Sequence, residues 1–119
     1  MTRHAAERRG RWGEELACWW LRLKGWGILA RRVKARGGEI DIVARKARVT
    51  AFIEVKTRSR DADLDTAIDM ARLERVAAAA RILSSRYARA GDDVRLDVIL
   101  VRPGRWPVRI ENVWYGLKV

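Results

Sequence analysis

Asp41, Glu54 and Lys56 are the residues of this chain whose types and spacing suit chemistry on a charged substrate. Asp41 lies in the run Gly38-Glu39-Ile40-Asp41-Ile42-Val43-Ala44. Glu54 and Lys56 follow thirteen and fifteen residues on, in Phe52-Ile53-Glu54-Val55-Lys56. Both runs read as strands, the first opening after a glycine pair. Side chains alternate faces along a strand, so Glu54 and Lys56 point one way and Ile53 and Val55 the other. Two carboxylates and an ammonium gathered by a hairpin suit a divalent metal ion with a catalytic lysine beside it. Hydrolysis of a phosphodiester needs charge neutralised on the phosphate and a water made nucleophilic, and a bound metal ion supplies both. Mg²⁺ is a hard cation that prefers oxygen ligands. Asp41 and Glu54 are therefore candidate ligands for Mg²⁺ or Mn²⁺, with the Val55 backbone carbonyl as a further candidate. Lys56 is placed to stabilise charge developing on phosphorus or to orient the attacking water. Acid-x-Lys on a strand also describes a surface salt bridge worth about 0–1 kcal/mol, and it is Asp41 that raises the pattern above that reading.

A further acid can come from the first helix, where Glu14 and Glu15 compete. Helical spacing puts Glu14 on the face of Ala17, Cys18 and Leu21, the apolar side, and Glu15 over Trp19 and Arg22. Glu14 is the acid expected to point inward. Either acid near a helix N-terminus is also favoured by the helix dipole, which needs no metal.

These residues require particular elements to position them. Apolar periodicity predicts a helix from about Trp12 to Lys24, ended by Gly25 and Gly27. Strands are expected over Ile28–Val33, Glu39–Ala44 and Val49–Thr57, with a charged loop at 58–63. Asp65 or Thr66 can cap a second helix running to about Ala90, with an apolar stripe of Leu73, Val76, Ala80, Leu83 and Tyr87. Strands at Val94–Val101 and from Val108 to about Trp114 complete the pattern. Helix, three strands, long helix and two strands describe an α/β fold with a central mixed β-sheet flanked by α-helices.

With 119 residues, about half of them apolar, the chain suits a single domain with one packed core, residues 1–11 forming a flexible basic segment before it. The formal net charge is +11 and uneven: residues 1–36 hold ten Lys/Arg against three acids. Such an excess favours a polyanionic partner, nucleic acid first. One cysteine, Cys18, excludes an internal disulfide and fits a cytosolic setting, and one histidine, His4, leaves no basis for histidine chemistry. No apolar run is long enough to span a bilayer, and no membrane partner is expected.

Gly13-Glu14-Glu15-Leu16-Ala17, Leu23-Lys24-Gly25-Trp26, Gly38-Glu39-Ile40-Asp41 and Phe52-Ile53-Glu54-Val55-Lys56-Thr57-Arg58 resemble the YraN-like family of small bacterial proteins. That family is similar in turn to Holliday-junction resolvases and the wider PD-(D/E)xK nuclease superfamily. The resemblance covers most of residues 10–100, and Arg95-Leu96-Asp97-Val98 is similar to its penultimate strand. It implies a restriction-endonuclease-like core with Glu14, Asp41, Glu54 and Lys56 at the active-site positions, and a homodimer that cuts two strands. The chain departs from the family where the second helix opens: Ile68-Asp69-Met70-Ala71-Arg72 lacks several basic positions, for which Arg72 and Arg75 are partial substitutes.

Arg9, Arg11, Arg32, Lys34 and Arg36 precede the helix or the Asp41 strand, and Arg58 and Arg60 follow Lys56, so all are candidates to neutralise DNA phosphates. The six tryptophans suit either a core or stacking on unpaired bases. Trp20 and Trp26 are expected in the core. The function expected is a divalent-metal-dependent endonuclease acting on DNA, branched or flapped structures included. The alternatives are a non-catalytic nucleic-acid-binding module retaining the nuclease fold, and an adaptor that docks through a tryptophan-rich surface.

Overall fold

A computed structural model describes residues 3–114, with side chains from residue 10 onward. Helix α1 (Arg3–Leu23) leads into a meander of three antiparallel strands, β1 (Gly27–Ala35), β2 (Gly38–Lys46) and β3 (Val49–Thr57). A single 3₁₀ turn, Leu64–Ala67, precedes α2 (Met70–Tyr87), and the chain closes with β4 (Asp93–Val101) and β5 (Val108–Ile110). The sheet runs β1-β2-β3-β4-β5. Among the described residues only β3 and β4 pair in parallel, from Val49 opposite Asp93 to Thr57 opposite Val101, and α2 is the crossover between them. A parallel pair requires such a crossover. The expected α/β class holds: a mixed sheet with one helix on each face, the order of elements in a restriction-endonuclease-like core.

Two apolar layers sandwich the sheet. Ile40, Val43, Phe52, Leu96, Val98 and Leu100 pack under α2 with Leu73, Val76, Ala80 and Leu83. Ile42, Ala44, Ala51, Ile53, Ile99 and Val101 pack under α1 with Ala17, Cys18 and Leu21. This is why β3 and β4 read as nearly continuous apolar runs: both faces of each strand are covered. Burial pushes the Cys18 thiol up from its ordinary value, which suits a core residue and not a nucleophile.

Several boundaries differ from expectation. Helix α1 begins at Arg3, so residues 3–11, expected as a flexible segment, are helical. The cap of α2 is neither Asp65 nor Thr66 but Asp69, whose side chain accepts from the Arg72 amide at 3.2 Å. Ile68 is the reason: it packs against the α2 core layer in extended conformation (φ −99, ψ 115), which interrupts any helix begun at residue 65. At its other end α2 stops at Tyr87, short of Ala90, and β5 is three residues long. Trp26 is buried, as expected, but Trp20 is only partly so, its ring lying against Trp106 with centroids 5.9 Å apart.

Candidate functional site

Asp41 stands where strand alternation slips. Ile40 and Val43 belong to the layer under α2, whereas Ile42 and Ala44 belong to the layer under α1. Residues two apart on a regular strand share a face, so Ile40 and Ile42 are divided by a local irregularity at Asp41. On the neighbouring strand, Ala30 and Val33 both pack toward α2 although they lie three positions apart, and Arg32 between them has φ 53. Pairing of β2 with β3 ends at Ile42 opposite Ile53. Beyond that point the strands part, and the Asp41 carboxylate enters the opening to accept from the Val55 amide at 2.8 Å. Val55 therefore meets Asp41 through its N–H, a donor that fixes the carboxylate in place.

Glu54 is buried on β3, and the same carboxylate oxygen lies 3.3 Å from Lys56 Nζ and 3.3 Å from Arg72 Nε. Its other oxygen is buried with no hydrogen-bond partner among the described residues. Burial raises the Asp41 carboxyl to about 7, and the Glu54 charge nearby adds to the rise, with the Val55 amide opposing it. Two carboxylates close enough to disfavour joint ionisation, one bearing an unsatisfied buried oxygen, fit a hard divalent cation by charge and donor type. When bound, such an ion polarises a phosphoryl oxygen and activates water. Lys56 and Arg72 would then carry positive charge beside the phosphate.

Glu14 is the inward-facing acid of α1, its side chain 14% exposed against 54% for Glu15. It contributes to the Asp41 environment but is held by Arg32 at 3.0 Å, while Glu15 pairs with Arg31 at 2.9 Å. Among the described residues no three His, Cys, Asp or Glu side chains converge into a metal cage. Asp41 and Glu54 are thus the acids that feel one another's charge most, and Glu14 is paired with Arg32. Helix α1 comes close to the end of β3 at Gly13, whose missing side chain leaves room for the hydroxyl of Thr57, immediately after Lys56.

The basic candidates divide. Arg58 and Arg60 sit at the end of β3, Arg58 donating to the Thr66 and Thr57 carbonyls. Lys34 and Arg36 are exposed at the β1–β2 turn, and Arg11 is exposed near Glu15 and Arg31. Arg32 is engaged by Glu14, and the Arg9 side chain lies outside the described residues. Arg72 and Asp97 carry more than the sequence reading gave them. Asp97, fully buried on β4, accepts from Arg109 at 3.1 Å and from the Asn112 amide at 2.8 Å, tying β5 and the chain after it to the sheet. Its signal was a lone acid inside an apolar strand, a position that demands partners.

Residues 13–101, which hold every one of the four central residues, match the uncharacterised protein family UPF0102. The chain belongs to that family. It is the YraN-like family that the motifs resemble. The UPF0102 protein of Rhizorhabdus wittichii is 59% identical over 114 residues, covering 96% of this chain and 97% of the relative. That of Sphingopyxis alaskensis is 57% identical, covering 96% and 98%, and that of Mesorhizobium japonicum is 46% identical over 116 residues, covering 97% and 93%. These UPF0102 relatives align nearly end to end, so the fold and site described here span the length they share. No helix among the described residues is long and apolar enough to cross a membrane.

Proposed function

We propose that this protein is a divalent-metal-dependent endonuclease that hydrolyses DNA phosphodiesters, with branched or flapped DNA as the substrate class that the resolvase resemblance points to. The observation that carries this reading is the pairing of Asp41 and Glu54 at the parting of β2 and β3. One of these carboxyls is driven toward its protonated form by burial and by the other, and one Glu54 oxygen is buried without a partner. In this reading the two acids organise Mg²⁺ or Mn²⁺, Lys56 acts on the scissile phosphate, and Arg58 and Arg60 hold the backbone beside it. Glu14 joins when phosphate or metal draws Arg32 away. A cytosolic setting suits an unpaired buried cysteine, and a homodimer would present two such sites to paired strands.

A second reading is favoured by a different observation. Glu54 is already neutralised by Lys56 and Arg72, and Glu14 by Arg32. A site whose charges balance internally suits a nucleic-acid-binding module that has kept the fold without turnover. One experiment separates the two: cleavage of labelled four-way-junction, flap, single-stranded and duplex DNA with Mg²⁺ or Mn²⁺, wild type beside Asp41→Asn. Metal-dependent cutting that disappears in the variant supports the endonuclease. Equal binding by both proteins with no cutting by either supports the binding module.

A further inference from the structure

On the flank of α1 away from Arg31 and Arg32, the fold leaves an apolar groove of about 490 Å³. Trp12, Trp19 and Trp20 of α1 form one wall, and Trp106 and Pro107 of the β4–β5 loop form the other. Trp19 is 59% exposed and Trp106 75% exposed. Leaving large aromatic surfaces in water is unfavourable, and exposed apolar patches of this kind mark binding sites. The charged residues that line the groove are of one sign. Arg102 and Arg105 line it, Lys24 Nζ lies 4.5 Å from the centre of the Trp20 ring, and no acid lines it among the described residues. In a symmetric pairing of two copies, a patch meets itself, which would set these cations against one another. An anionic partner with flat apolar groups meets both features, and nucleic acid with unstacked bases is that partner.

One wall of the groove is also tied to the segment that follows the site. The Arg58 amide donates to the Val101 carbonyl at 3.0 Å, and Arg102 Nη1 donates to the Ala62 carbonyl at 2.8 Å. The Arg60 guanidinium lies over Gly104, in the space a side chain there would take. The loop bearing Trp106 is therefore stitched to the segment that follows Lys56. Arg60, beside Gly104, thus stands next to a residue that lines the groove with Trp106.

We propose that this groove receives unpaired bases, so that the substrate carries a single-stranded segment next to the phosphate engaged at Asp41 and Glu54. This rests on the DNA reading above and adds to it a requirement for unstacked nucleotides. The test is fluorescence anisotropy with an oligothymidylate of about 16 nucleotides and a duplex of the same length, using wild type, Trp19→Ala, Trp106→Ala and Trp106→Phe. All are changes at an exposed surface, and melting curves check that each variant folds. Loss of stacking should weaken single-strand binding roughly 5- to 100-fold in the alanine variants. Trp106→Phe should retain most of the affinity, duplex binding should be unchanged, and the single strand should quench tryptophan emission. If wild type binds DNA and the alanine variants bind both forms as it does, the groove assignment is overturned while the DNA reading stands. If wild type binds neither form, the DNA reading fails first. Loss of a dimer, or of binding to phosphatidylglycerol vesicles, with single-strand affinity intact would identify another occupant and overturn the proposal.

Discussion

Asp41 holds its proton to about pH 7 because burial and the Glu54 carboxylate both disfavour its charge. The free carboxyl titrates near 3.8. A group whose pKa is higher folded than unfolded binds more protons in the folded state, so its contribution to stability falls as pH rises between those two values. Asp41→Asn keeps an acceptor for the Val55 amide and removes the charge. In EDTA at pH 8 the variant should melt above wild type, by a margin on the order of 1–3 kcal/mol. The gap should close by about pH 4, where both carry a neutral side chain. A constant gap across that range would refute the electrostatic account. Mn²⁺ added at pH 8 should raise the melting temperature of wild type and leave Asp41→Asn unmoved, because only an ion that binds the folded state stabilises it. Glu54 and Lys56 were legible from strand alternation, and Asp41 from the glycine pair that starts its strand. Arg72 on Glu54 and Arg32 on Glu14 were not, since each joins residues eighteen positions apart through a helix placement or a strand irregularity that local pattern does not encode.

Packing of elements is set as much by small residues as by large ones. Gly38 opens β2 beneath α2, and a Cβ there would lie 2.7 Å from the Arg75 carbonyl oxygen and 3.2 Å from its carbon. Helix backbone cannot swing aside as a side-chain tip can, so the cost falls on the whole α2–β2 contact. Gly38→Ala should lower stability by about 1–3 kcal/mol in urea denaturation. Gly10→Ala in α1, where a Cβ meets nothing within 4 Å, should be neutral or slightly stabilising because alanine favours a helix. Equal effects from the two substitutions would show that α2 does not sit as closely as described. The sequence located every strand and both helices because apolar periodicity carries that information. It misplaced their ends where polar side chains decide. Asp65 and Asp69 are equally good caps by residue type, and the packing of a partly buried, extended Ile68 against the α2 layer selects the second. The start of α1 at Arg3 was missed because residues 3–11 carry no apolar stripe beyond Trp12 to extend.

At the scale of the whole molecule, a net charge of +11 would attract any polyanion, so the useful question is which cations remain available. Arg31, Arg32, Arg45, Arg72 and Arg109 are committed to carboxylates. Arg58, Arg60 and Arg105 carry no ion pair among the described residues, and all three gather where β3 and β4 end. Phosphate contacts made there release counterions, and each lowers the slope of log affinity against log salt by about 0.9 on duplex DNA. A footprint of four to six such contacts predicts a loss of roughly 10²–10³-fold between about 50 and 200 mM salt. Arg60→Ala should weaken binding uniformly across sequences and make the slope shallower by about 1. Arg109→Ala, which strips Asp97 of its cationic partner and removes a guanidinium already committed to a carboxylate, should cost stability and leave the slope unchanged. Affinity that ignores salt, or a slope that Arg60→Ala does not move, would place the nucleic acid elsewhere on the surface and remove the link between these arginines and the carboxylate pair.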